Sequence, residues 1–445
     1  MLEKQVFKAN DIRGIVGREW DEAGAAALGA AYVAALGLEG GRFALGRDMR
    51  LRGESLSRAF AQAAVAAGAE VLDVGLVSTD QLWFVSGDTG LPGIQFTASH
   101  NPAEYNGVKF CLPGAAPVTA QLLERIQEVA TTAEPRNPPP DWADKVETRD
   151  TLSAYAAKLH SLVQLPTRRL KVIVDSGNGM AALTTPAVLG TLNLDVVSLF
   201  PQLDGTFPNH PANPLDPANL VTLRAAVVEH QADIGLAFDG DADRCFIIDE
   251  RGDAVDPAQI TALIAASALA RDPGAAIVVN TITSRAVREV VARAGGRVVV
   301  SPVGHTHMKA AMAKENAIFG GEHSGHYYFR EFWNADTGML AALHVIAALS
   351  GFAGTLSQLA ATLPSYPHSG EINTRVSDPE AIKAKVAASF AGDLDTADGI
   401  FISGGDWWLS VRESNTEPLL RLNVEAADVP TMEALRDRAL AIIRA

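Results

Sequence analysis

The sequence predicts an α/β protein: three related α/β domains with mixed sheets, then a C-terminal α+β domain. Two observations carry this. Short apolar runs alternate with Ala-rich helical segments in three successive blocks, the pattern of strand–helix–strand units. Near the third of three linker-like stretches, Leu363–Gly370, the order of elements changes.

In the first block Phe43–Leu45 reads as a strand, the segment around Ser55–Ala67 as a helix and Glu70–Val74 as the next strand. The second block repeats this with Lys171–Val174, a helix from about Met180, and Asp195–Leu199. The third has Ala276–Val279, a helix from about Ser284, and Arg297–Val300. The repetition is one of plan, without a residue-level repeat. Three consecutive prolines in Ala133–Trp142 favour extended chain and place the first boundary. A turn at "ERGD" after the strand Arg244–Asp249 places the second, and "LPSYPHSG" the third, giving expected units 1–140, 141–250, 251–364 and 365–445. The last unit reads as strand Glu371–Val376, helix Pro379–Phe390, strands Ile400–Ser403, Trp407–Arg412 and Leu419–Val424, and helix Met432–Arg444. The Trp407–Trp408 pair within it reads as packing.

The chain has 445 residues, 48% hydrophobic and 20% charged, with a formal net charge of −15. That composition suits a globular protein with a sizeable core and argues against a nucleic-acid binder, which would carry a basic patch. An anionic substrate would have to be held by local cations. Cys111 and Cys245 lie far apart in apolar runs and read as buried free thiols of a reducing compartment. No apolar signal core opens the sequence, and no run approaches the ~20 residues of a membrane span. The expectation is a cytoplasmic enzyme, monomeric or homodimeric.

Four stretches carry chemistry. "TASHNPAEYNGVKF", Thr97–Phe110, gathers Ser99, His100, Asn101, Tyr105, Asn106 and Lys109, and reads as a loop presenting a reactive hydroxyl. "FDGDADRC", Phe238–Cys245, sets Asp239, Asp241 and Asp243 at two-residue spacing between apolar strands. Their mutual repulsion calls for a divalent cation, and oxygen-only donors suit a hard ion such as Mg²⁺. An EF-hand would use Glu250 as its twelfth residue, but Arg244 stands where the sharp turn needs Gly and the flanks are strand-like. "GGEHSGHYYF", Gly320–Phe329, offers Glu322 and Ser324 to hydroxyl groups; a zinc site at His323 and His326 lacks cysteines and helical spacing. The elbow of a serine hydrolase is missing here and around Ser99. "RESNTEPLLR", Arg412–Arg421, combines hydroxyls, turn amides and arginines, which suits a phosphate or an ordinary turn. "VIVDSGNGMAA", Val172–Ala182, contains G-x-G-x-x-A, but Asp195 begins the next strand instead of ending it, so a tight strand–helix turn is the better reading than a dinucleotide site.

In this order, with "NDIRG" before them, the four loops resemble the α-D-phosphohexomutase family, and its bacterial phosphomannomutase/phosphoglucomutase branch in particular. The resemblance spans the chain. It implies four domains around a central cleft, each contributing one loop. It implies that Ser99 carries a phosphoryl group, and that Asp239, Asp241 and Asp243 hold Mg²⁺ together with an oxygen on Ser99. It places Arg13, His100, Lys109 and Arg244 at the reaction centre, His305 and His326 on the substrate side, and Glu322 and Ser324 on sugar hydroxyls. Arg412, Ser414, Asn415 and Thr416, with Arg421 beside them, would hold the non-reacting phosphate. The implied reaction is reversible transfer between C1 and C6 of a mannose or glucose phosphate through a hexose 1,6-bisphosphate. The general acid/base is left between Lys109 and His100, leaning to Lys109. Two departures stand out: Asn10 where many relatives have tyrosine, and a lysine-free loop at Thr281–Arg285. Rival readings are a phosphoglucosamine or phospho-N-acetylglucosamine mutase, a metal-dependent sugar phosphatase and a silent sugar-phosphate sensor.

Overall fold

The computed structural model describes residues 2–132, 137–164, 166–413 and 419–445. Among these residues the strands form four sheets. Three share one topology. In the second unit, Leu194–Leu199, Leu170–Asp175 and Ile234–Phe238 run parallel, and Cys245–Asp249 and Ala254–Val255 return antiparallel. The third repeats this with Arg297–Ser301, Ala276–Asn280 and Phe319–Gly321, then Tyr327–Phe329 and Ala335–Asp336. In the first, Glu70–Leu76, Arg42–Arg47 and Gly93–Phe96 are parallel and Tyr105–Leu112 turns back, with Ile12–Ile15 and Ala116–Pro117 added antiparallel to it and Val146–Thr148, from beyond residue 140, added parallel to Glu70–Leu76. The sheets are therefore mixed. The strand–helix alternation marks their parallel part, and the short returns are what it leaves out.

The common plan gives the site its position. In each of the three sheets the third parallel strand turns back into its antiparallel neighbour. The connections are residues 97–104, 239–244 and 322–326. These carry Ser99, the three aspartates, and Glu322 with Ser324.

The stretch Thr97–Phe110 is a loop only as far as Glu104; Tyr105–Leu112 is a strand, buried from Asn106 to Cys111. Its side chains alternate: Val108 and Phe110 enter the aromatic core with Tyr32, Phe43 and Phe60, while Lys109 faces the acidic loop. The polar residues hid this strand because its second face is lined by a site instead of a core.

The C-terminal sheet is antiparallel, in the order Ile372–Arg375, Leu419–Ala426, Trp407–Glu413, Ile400–Ser403 and Asp393–Asp395, with helices Pro379–Ser389 and Val429–Ile443. Asp393–Asp395 is an exposed edge strand, and its D-L-D sequence carries no alternation to announce it. Trp408 is buried against Phe401 and donates to Glu425, while Trp407 packs beside Phe390, as the packing reading expects.

One apolar cluster runs through the first three units, from Leu82 and Trp83 through Leu170, Leu236 and Phe238 to Leu340 and Ile346. The C-terminal unit has its own, around Ile402, Leu409, Val411, Leu422 and Ala439. Both cysteines are buried and free. Among the described residues, no helix is long and apolar enough to cross a membrane.

Candidate active site

Ser99 sits in the left-handed backbone region at φ 50°, a costly conformation for a residue with a Cβ, and the loop is braced to hold it. Its N–H donates to Thr97 Oγ1 at 2.9 Å. Arg50, from the turn after Arg42–Arg47, sends its guanidinium into the loop and donates to the carbonyls of Ser99, Asn101, Pro102 and Tyr105 at 2.6–2.9 Å. Ser99 is fully buried, although small neighbours suggest an open hydroxyl; the acidic loop of the second unit covers it.

That covering is backbone against backbone. A Cβ on Gly240 would lie 2.4 Å from the Ser99 carbonyl oxygen, and one on Gly179 would lie 2.6 Å from that of Gly240. The Met180 N–H also donates to Gly240 O at 2.9 Å. The "SGNGM" turn is thus the buttress of the acidic loop, which agrees with reading it as a tight turn. Asp239 Oδ2 accepts from Ser99 Oγ at 2.7 Å. Thr79, at the start of helix Thr79–Thr89, donates its hydroxyl to Asp241 Oδ2 at 2.5 Å and its N–H to Asp241 O at 3.0 Å. Glu250 accepts instead from Ser357 and takes no part in the loop.

The three aspartates are buried, and their carboxylate oxygens lie within 4.8 Å of one another. Lys109 Nζ donates to Asp241 Oδ2 at 2.7 Å and Asp243 Oδ2 at 2.5 Å, while Arg244 Nε lies 3.4 Å from Asp239. Burial and the other two carboxylates push Asp239 well above the ordinary carboxylate range, and burial with Asp241 lifts Asp243 to about 6. At Asp241 burial also acts upward, but Lys109 outweighs it and holds this carboxyl low. Burial opposes the charge on Lys109, and the attraction of Asp241 and Asp243 prevails, raising it. Asp241 Oδ1 and Asp243 Oδ1 are buried with no hydrogen-bond partner among the described residues. Two such oxygens beside a third carboxylate form an all-oxygen set fitted to a hard divalent cation.

The other predicted residues surround this centre. His100 Nδ1 is 3.2 Å from Ser99 Oγ, and burial with Arg244 and Arg13 keeps its ring far below its usual pKa, hence neutral. Arg13 donates to Asp11 at 2.8 Å and to Asn101 Oδ1 at 2.7 Å. Arg244 bridges to His326, Nε to Nε2, at 3.2 Å, and the same two residues pair their backbones, joining the acidic loop to the Glu322 loop. Ser324 Oγ is 2.9 Å from His326 Nδ1. His305 opens helix His305–Glu315, and burial lowers it to about 4. Next to it, Thr306 donates to Asn10 Oδ1 at 2.8 Å, so the residue that departs from the tyrosine pattern joins the first unit to the third. Glu322 accepts from Asn280 Nδ2 at 3.0 Å, Gly304 N at 3.3 Å and Tyr328 Oη at 2.6 Å. In the C-terminal sheet Arg412 and Arg421 are cross-strand partners, each within 3.3 Å of Glu371. Ser414, Asn415 and Thr416 lie outside the described residues.

Four profiles described as phosphoglucomutase/phosphomannomutase match in chain order: alpha/beta/alpha domain I over residues 4–137, domain II over 152–252, domain III over 256–366 and the C-terminal domain over 371–442. A phosphomannomutase of Salmonella montevideo is 38% identical, with 98% of each chain covered. The chain belongs to the phosphoglucomutase/phosphomannomutase family. A second relative, described as phosphohexose mutases, from Xanthomonas campestris pv. campestris, is 39% identical over 94% of each chain. The crystal structure of a phosphoglucomutase/phosphomannomutase family protein from Burkholderia thailandensis superposes with a TM-score of 0.91 at 30% identity, covering 100% of this chain and 98% of the other.

Within this family fold, the motifs leave out residues that brace the site from behind. Thr79 and Asn280 stand in unremarkable local sequence, and Tyr328 lies within the stretch Gly320–Phe329 with no role read for it. For Arg50 a signal existed: charged residues directly follow the carboxyl end of a parallel strand in "ALGRDMR", where sites of α/β sheets gather.

Proposed function

We propose that the chain is a phosphohexomutase that reversibly moves a phosphoryl group between C1 and C6 of mannose phosphate, and of glucose phosphate as well, through phospho-Ser99. The observation that carries this reading is Ser99 Oγ at 2.7 Å from Asp239 inside a buried three-carboxylate cluster, with Lys109, Arg244 and Arg13 gathered around it in a chain of net charge −15.

Asp239, Asp241, Asp243 and an oxygen on Ser99 would hold Mg²⁺, which would supply charge neutralisation for the phosphoryl group. The chain's residues do the positioning. Phospho-Ser99 donates to the free hydroxyl of a bound hexose phosphate, leaving a hexose 1,6-bisphosphate and a serine oxygen that takes up a proton. After the sugar turns round, Ser99 attacks the other phosphate and is phosphorylated again. His100 at Ser99 Oγ and Lys109, hydrogen-bonded to Asp241 and Asp243, are the two groups that can serve as general acid/base, with the lean to Lys109. Glu322 and Ser324 take sugar hydroxyls, His305 and His326 line the substrate side, and Arg412, Arg421, Ser414, Asn415 and Thr416 hold the distal phosphate. Units bounded near residues 140, 250 and 364 each bring one loop to the cleft. We place this enzyme in the cytoplasm, as a monomer or homodimer without nucleic-acid or membrane partners.

The buried Ser99 favours a mutase over a phosphatase, because water must be kept from the phosphoserine. The test is ³¹P NMR with Mg²⁺ and mannose 1-phosphate, seeded with a trace of hexose 1,6-bisphosphate. The wild-type protein builds the 6-phosphate signal, and Ser99→Ala does not while keeping its circular dichroism. Release of inorganic phosphate, or an active Ser99→Ala protein, would overturn the reading.

A further inference from the structure

Glu322 is oriented by two loops at the carboxyl ends of adjacent parallel strands. Asn280 follows one of these loops' strand cores and donates its amide N–H to Glu322 Oε1, as does the backbone N–H of Gly304 from the other. The Asn280 amide is itself fixed, because its carbonyl accepts from Thr283 Oγ1 at 2.8 Å. The neighbours of these two donors face a second carboxylate. Thr281 Oγ1 and the Val303 N–H both donate to Asp398 Oδ2, at 2.8 and 3.0 Å. Asp398 belongs to the C-terminal unit, in the turn before strand Ile400–Ser403. That turn also packs on Arg412: Gly399 has φ 76°, and a Cβ on it would lie 2.6 Å from Val411 O and 3.0 Å from Arg412 Cα. The two loops are thus clamped between Glu322 on one side and Asp398 on the other, and Asp398 sits on the same unit as Arg412, joined to it by the packing of Gly399.

We propose that Asp398 is a positioning residue that sets the Glu322 carboxylate for the sugar through Thr281–Asn280 and Val303–Gly304, tying its geometry to the docked position of the unit that carries Arg412. The inference rests on the reading of Glu322 as a sugar-binding group. A hexose phosphate held at its distal phosphate by the C-terminal unit then meets a correctly aimed Glu322 only when that unit is seated.

The experiment compares KM and kcat for mannose 1-phosphate in Asp398→Ala, Asp398→Asn, Thr281→Val and the double variant Asp398→Ala/Glu322→Gln. Loss of a charged acceptor shared by two donors raises KM by roughly 10- to 100-fold in Asp398→Ala, with a smaller effect on kcat. Asp398→Asn, which keeps an acceptor oxygen, recovers most of this. Thr281→Val, which leaves the C-terminal unit untouched, raises KM about 3- to 10-fold. On the Glu322→Gln background Asp398→Ala adds less than about 3-fold, as expected of groups acting in series. Wild-type KM in both Asp398→Ala and Thr281→Val, or an undiminished Asp398→Ala penalty on Glu322→Gln, would overturn the proposal. A wild-type protein that fails to convert mannose or glucose 1-phosphate would instead overturn the mutase reading. Calorimetric Kd values for mannose 6-phosphate across the same variants then read the coupling without turnover.

Discussion

At the scale of the residue, the site is a balance of buried charge. Lys109 is the cation hydrogen-bonded to both Asp241 and Asp243, with Arg244 farther off at 3.9 Å from Asp243, so removing it takes the nearest positive charge from two buried carboxylates. Lys109→Met is expected to cost roughly 3–5 kcal/mol of stability in the presence of a chelator, the scale of breaking a buried pair from one side. Mg²⁺ should raise the melting midpoint of Lys109→Met more than that of the wild type, because the ion supplies the lost positive charge; equal shifts in a thermal melt would contradict this. The residues in this balance were legible because carboxylates at alternating positions between apolar strands have few other uses. Arg50 was legible only by its place, just after the carboxyl end of a parallel strand. That its five-donor fork satisfies loop carbonyls could not be read, because such a task sets no motif.

At the scale of the element, glycines decide how closely the loops meet. Gly240→Ala would place a methyl against the Ser99 carbonyl, so it should reduce turnover at least as severely as a direct change in the loop while costing about 1–3 kcal/mol. A Gly240→Ala enzyme with wild-type kcat/KM would show that the contact can relax. Helix Gly338–Gly351 gives a pH dependence away from the cleft. The His344 ring stacks on Phe329 at 5.2 Å between centroids, and burial with nearby Arg271 lowers its pKa to about 4. A folded pKa below the unfolded value means that the unfolded chain takes up a proton the folded one refuses. The contribution is complete above pH 6.5 and is lost as pH falls towards 4, by roughly 2 kcal/mol between pH 7.5 and 5. His344→Gln should therefore lose less stability than the wild type across that interval; parallel pH profiles would refute it. Helices and parallel strands could be read directly, since apolar periodicity marks them. The return strand Tyr105–Leu112 could not, because one of its faces is written in the residues of the site.

At the scale of the whole molecule, the cores divide the chain unequally. One apolar cluster bridges the first three units, although the first keeps a further core of its own around Tyr32, Phe43 and Phe60, and Asp80 adds a polar pin among them: it accepts from Tyr155 Oη and Thr337 Oγ1 at 2.6 Å each. The C-terminal unit keeps a separate core and meets the third unit through groups such as Asp398 and Glu425. Differential scanning calorimetry should resolve two transitions, the smaller from the C-terminal unit, and Asp398→Ala should lower that one alone. A single transition would mean that the polar seam couples the units as strongly as a shared core. The succession of three α/β units and an α+β unit was readable along the chain, but the shared core was not, because it depends on faces that meet only in space. Self-sufficiency of the last unit also bears on ancestry and engineering. A module with its own interior can be exchanged between relatives as a cassette. The first three are joined by an apolar cluster across their boundaries, so exchanging one alone would uncover part of its neighbours' interior.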